Sequence, residues 1–124
     1  MDRPAKLSVV MRAVHETIRA YQEAVGEDPA PAWPDAGWMQ ESTREAVEFA
    51  LGDPTPGAQH EVWAAAKRRD GWRYGPKKDP KEKTHPSLVP FEQLSESERR
   101  KDALLIAVVR ALAPVLDLKP ARHA

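Results

Sequence analysis

The stretch LSESERRKDALLIAVVRAL, residues 94–112, decides the fold. Ser95 and Glu98 form a capping box, and Leu94 sits where a hydrophobic staple begins. Leu104, Leu105, Ile106, Val108, Val109 and Leu112 then follow in a band too wide for a helix with one covered face. The pattern predicts a long final helix from Ser95 to about Leu112, covered on both flanks and forming the core.

Three further helices are read upstream of it. Val10, Val14, Ile18, Tyr21 and Val25 make one apolar stripe from about Ala5 to Val25, ended by Gly26. A second helix carries Trp38, Met39, Ala46, Val47, Ala50 and Leu51 and stops at Gly52-Asp53-Pro54. Thr55 caps a third, from Pro56 to about Arg69, whose inner face is expected to be Val62, Trp63 and Ala66. Gly71-Trp72-Arg73-Tyr74-Gly75 alternates aromatic and charged residues between glycines, the pattern of a short strand with Trp72 and Tyr74 on one face. Ser87-Leu88-Val89 is the expected antiparallel partner. The class is therefore mainly α (α+β), with a small antiparallel hairpin around 71–75 and 87–91.

The 124 residues are enough for a single domain with its own core, and 41% apolar with 31% charged residues is globular composition. Without cysteine there is no disulfide framework or thiol nucleophile, and cytoplasm is the expected compartment. The start of the chain lacks the apolar run of a secretion signal, and the longest such run, from Ala103 to Val109, is too short to span a bilayer. Lys plus Arg (19) balances Asp plus Glu (19), which argues against nucleic acid as partner. Eight basic residues nevertheless lie between Lys67 and Lys83 against three acidic ones, a patch suited to an anion.

His15-Glu16 in the first helix and His60-Glu61 in the third are each followed by an aromatic connection and a second helix. The chain therefore reads as two helix-loop-helix repeats about a pseudo-two-fold axis, roughly 5–52 and 55–113, with a tail over 114–124.

Taken together, His60-Glu61, Trp63, Gly71-Trp72-Arg73-Tyr74-Gly75, Asp79, Lys83-Thr84-His85-Pro86, Leu88-Val89-Pro90-Phe91 and Leu94-Ser95 resemble the RyR domain, the repeat first named in ryanodine-receptor calcium channels. The first half looks like the divergent first repeat of stand-alone prokaryotic and viral members. The resemblance implies a compact helical unit with small antiparallel strands. It also implies ligand binding, because a paired-repeat module in the channels holds an adenine nucleotide between its repeats.

The chemistry of the residues points the same way. Trp72 and Tyr74, with Trp63 a helix away, offer faces for a flat ring, while Arg73, Lys83, Thr84 and His85 offer donors to phosphate oxygens. If the cleft lies between repeats, His15, Arg19 and Tyr21 join it. Adjacent His-Glu pairs point about 100° apart on a helix and make no metal site or acid-base dyad, and there is no phosphate loop or nucleophile elbow. The expectation is a non-catalytic module for a nucleotide-like anionic aromatic ligand, with no cofactor. The alternative is a protein-interaction or self-association module, acting as a homodimer or on a partner protein.

Overall fold

Side-chain caps set where three of the four helices begin. In the computed structural model, which describes residues 1–121, α1 (Arg3–Ala24) starts where Asp2 accepts from the Ala5 amide at 2.9 Å. Thr55 and Ser95 do the same for Ala58 and Glu98, opening α3 (Pro56–Arg69) and α4 (Glu96–Val115). The capping box at Ser95 is half formed, because the Glu98 carboxylate accepts from Ser87 and Lys101 instead of turning back to the Ser95 amide. α2 (Met39–Ala50) starts at Trp38 without a side-chain cap. α4 runs past the expected Leu112 to Val115, taking in Pro114 near its end.

Glycines in the left-handed region close α1 and α3. Gly26 and Gly71 have φ of +79° and +88°, and the next residue's amide reaches back over the last turn, Glu27 to the Gln22 carbonyl and Trp72 to the Lys67 carbonyl, both at 2.9 Å. The two glycines stand at the same spacing from His15 and His60.

The main core joins the two ends of the chain. Leu7, Val10 and Val14 of α1, Val47 and Ala50 of α2, and Val109 and Ala113 of α4 bury one another together with Leu118. Each such fully buried valine or leucine contributes about 1.5–3 kcal/mol. α4 packs against α1, α2 and α3, as its wide apolar band requires. A smaller cluster, Ala64, Trp72 and Leu88 with Trp63 against it, lies beneath the loop side of α3. The inner face of α3 differs from the expected one: Gln59, His60, Ala64 and Lys67 are buried, and Val62 and Ala66 lie at its edges. No helix among the described residues is long and apolar enough to cross a membrane.

The expected antiparallel hairpin is not what forms. β1 (Arg73–Tyr74) pairs in parallel with β2 (Thr84–His85), Arg73 opposite Thr84 and Tyr74 opposite His85, and Ser87-Leu88-Val89 joins no strand. The connection explains the reversal. Asp79 Oδ1 accepts from the amides of Lys81 and Glu82, and Lys83 takes a left-handed φ of +56°. This fold-back pairs Thr84 with Asp79 in antiparallel fashion on one side, and leaves Thr84 and His85 running alongside β1 on the other.

Candidate functional site

A concavity of about 630 Å³ lies between the two halves of the chain. One wall is α3 and β2: His60 and Trp63 of α3 stand beside His85, and the Trp63 and His85 rings meet edge to face with centroids 4.9 Å apart. Facing them are Ile18 and Gln22 of α1 and the turn Pro29, Ala30 and Pro31. The floor is the start of α4, where Glu98, Lys101, Asp102 and Leu105 stand at positions i, i+3, i+4 and i+7 and so share a face. Lys78 lies at the rim.

Two backbone clasps of matching geometry hold the walls. His15 Nε2 lies 2.7 Å from the Pro31 carbonyl, and His60 Nε2 lies 2.7 Å from the Val89 carbonyl. A carbonyl only accepts, so each imidazole donates from Nε2. The neighbouring glutamates finish the clasp: Glu16 accepts from the Trp33 amide at 2.9 Å and Glu61 from the Phe91 amide at 3.3 Å. A short 3-10 turn follows in each case, Trp33–Asp35 and Phe91–Gln93. The Trp33 bond, against some desolvation and with help from Arg19, holds Glu16 below the usual carboxylate range.

Charge in the cleft is mixed. Lys101 bridges Glu27 and Glu98 at 2.7 and 2.8 Å. Burial, reinforced by Glu98, pushes Asp102 up to about 7, and no ion pair forms with it among the described residues. Burial, with Lys78 and Lys67 adding to it, holds His85 down at about 4. The neutral His85 ring accepts from the Ser87 amide at Nδ1, 3.0 Å away, which leaves its proton on Nε2. Among the described residues no group of three His, Asp or Glu is placed to hold a metal ion.

The candidate residues read from the sequence divide into three groups. Trp63 and His85 line the cleft. Trp72 is buried behind His85, at 6.3 Å between centroids, and with Lys83 lines a separate groove of about 410 Å³ against Trp38. The others are committed elsewhere. Tyr74 and Trp72 do not share a face, because Trp72 precedes the paired residues; Tyr74 is 59% exposed. Arg73 donates to the Glu82 carbonyl, Lys83 to the Asp70 carbonyl and Thr84 to the Lys77 carbonyl, so Lys83, Thr84 and His85 do not converge on one ligand. His15 is taken by its clasp, Arg19 donates to the Ala30 carbonyl behind the proline turn, and Tyr21 donates to Ser97.

Glu98, Lys101, Asp102 and Lys78 were not among the sequence candidates. The signal for the α4 trio was their helical spacing one turn before Leu105, on a face the apolar pattern already assigned to the interior. The family model of the RyR domain matches residues 55–113, which takes in α3, both strands and all of α4 but its last two residues. No solved structure matches the chain.

Proposed function

We propose, from the premise that residues 55–113 belong to the RyR domain family, that this protein is a non-catalytic module binding a nucleotide-derived or other anionic aromatic ligand in the cleft between its halves. The observation that carries this reading is the 630 Å³ cleft itself, in which an edge-to-face Trp63 and His85 pair stands across from α1 and the proline turn. A flat ring stacks against Trp63. His85 Nε2–H and the Lys78 ammonium donate to its anionic group, while Glu98 and Asp102 take hydroxyl or amino donors.

The magnitudes call for both walls. One stacking contact contributes about 1–3 kcal/mol and two charge-assisted hydrogen bonds about 3–6, against an association cost of about 4–15. A half-site would bind weakly; a cleft held open by two backbone clasps loses less entropy on binding. The clasps also support reading the halves as two copies of one unit. His-Glu at matching helical positions, a donated carbonyl bond of 2.7 Å, a glutamate on the next turn's amide and a left-handed glycine recur in the same order.

Thermal unfolding with a panel of AMP, ADP, ATP and ADP-ribose tests the proposal. At least one member raises the melting temperature, and Lys78→Ala and Trp63→Leu each reduce the rise, whereas Tyr74→Ala, outside the cleft, leaves it unchanged. No rise with any member counts against a nucleotide site and in favour of an interaction module.

A further inference from the structure

We propose that the groove between α2 and the end of α3 is a second binding site, distinct from the cleft, which takes the carboxylate of a flat aromatic acid on Lys67 with Trp38 as its wall. Lys67 is 6% exposed, and its ammonium lies between two indoles, 4.5 Å from the centre of Trp38 and 5.4 Å from that of Trp72. Ring faces attract a cation but accept none of its three N–H donors in the way an oxygen does. Among the described residues, no carboxylate lies within ion-pairing distance of Lys67 and no acceptor lies within hydrogen-bonding distance. Buried charge in this condition is costly unless paired. The head is not sealed in, because Lys67 lines the 410 Å³ groove.

The surroundings select the kind of anion. Trp38 packs against Trp72 at 5.6 Å and is still 46% exposed, so it presents apolar surface to the groove. Asp70 and Glu45 stand at the rim and Glu41 is paired with Arg44, which penalises a doubly charged phosphate more than a single carboxylate. Lys83 is occupied by the Asp70 carbonyl, 2.7 Å away, and the Lys78 ammonium lies farther out, 5.8 Å from the Trp38 ring centre, so Lys67, buried between both indoles, is the anchor. Burial holds Lys67 below the ordinary lysine range, against the pull of Asp70. An oxyanion arriving at the groove therefore meets an ammonium with unused donors and a ring to lie against. Trp72 and His85 stand between the groove and the cleft, and Lys78, at the rim of the cleft, also comes within 5.8 Å of the Trp38 ring centre.

Titration of the full chain with sodium benzoate, followed through the indole N–H signals of its four tryptophans by NMR, tests this. The signals of Trp38 and Trp72 move saturably and those of Trp33 and Trp63 do not. Benzamide, which has the same shape without the charge, shifts neither pair, and inorganic phosphate binds at least tenfold more weakly than benzoate. Lys67→Met abolishes the effect, and Trp38→Ala, at an exposed position, weakens the shift of Trp72 at least fivefold. If Lys67→Met does not fold, Trp38→Ala and the benzamide comparison decide. The proposal is overturned by a shift that is absent, reproduced by benzamide, exceeded by phosphate or retained in the variants. The two readings are separated by competition: benzoate at saturation leaves the adenine-nucleotide response in place, so either can fail without the other.

Discussion

His85 and Asp102 face the same cleft and depart from ordinary acid–base behaviour in opposite senses. His85 is held at about 4 and Asp102 is raised to about 7, so near pH 5.5 both are neutral in the fold while both are charged in the unfolded chain, where His and Asp titrate near 6.5 and 3.9. For His85 the unfolded state binds the extra proton between about pH 4 and 6.5, so stability rises with pH across that window and is level above it. For Asp102 the native state holds the extra proton between about pH 4 and 7, so stability falls with pH across nearly the same window. Each slope approaches about 1.4 kcal/mol per pH unit, and together they nearly cancel. Asp102→Asn should unmask the His85 slope, its gain over the parent growing from pH 4.5 to 6.5. His85→Gln should instead become progressively less stable than the parent over the same range. Denaturant unfolding of the three proteins at pH 4.5, 5.5 and 6.5 measures this, with the variant-minus-parent difference removing the carboxylates they share. Parallel pH profiles would show that neither group is held neutral by the fold.

At the scale of elements, the parallel pair β1 and β2 depends on Gly75. A Cβ there would lie 2.6 Å from Thr84 Cβ and 3.0 Å from Thr84 Cγ2, a contact that real side chains do not make. Gly75→Ala is expected to destabilise the protein by about 1–3 kcal/mol, in the range of other overpacked sites. Thr84→Ala should not rescue it, since the nearest atom is the Cβ that alanine keeps; urea midpoints of the single and double variants decide. The same motif shows what was legible in the sequence. Four helices and two of their caps could be read from Thr55, Ser95, the glycines and the apolar spacing, because each signal lies within a turn of the boundary it sets; the Asp2 cap, three residues before the expected start at Ala5, was not read. Strand direction could not. It is decided by an Asx-type turn at Asp79 and a left-handed Lys83, and lysine carries no marking for that conformation. The site was half legible for a related reason: ring residues announced Trp63 and His85, whereas Lys67 reads as one member of a charge run until Trp38 and Trp72 are seen on either side of it.

At the scale of the whole molecule, the region matched by the family and the unit that buries a core are different lengths of chain. Residues 55–113 hold the small cluster of Ala64, Trp72 and Leu88, but Val109 and Ala113 of α4 pack against Leu7, Val10, Val14, Val47 and Ala50, all in the first half. Polar bonds cross the same boundary: Gln59 donates to the Ala46 carbonyl at 3.0 Å, Lys101 pairs with Glu27, Arg110 with Asp53, and Tyr21 donates to Ser97. Cut at residue 54, the second half exposes the face of α4 that its sequence was written to bury, and a fragment of that length has little other apolar surface to enclose. Residues 55–113 alone should therefore show no cooperative thermal transition, and adding residues 1–54 as a separate chain should restore helical ellipticity and a single melt. A sharp transition in the isolated fragment, close to that of the full chain, would mean that the second half folds as an independent module. The cleft would then be a junction between two domains instead of a groove within one cooperative unit.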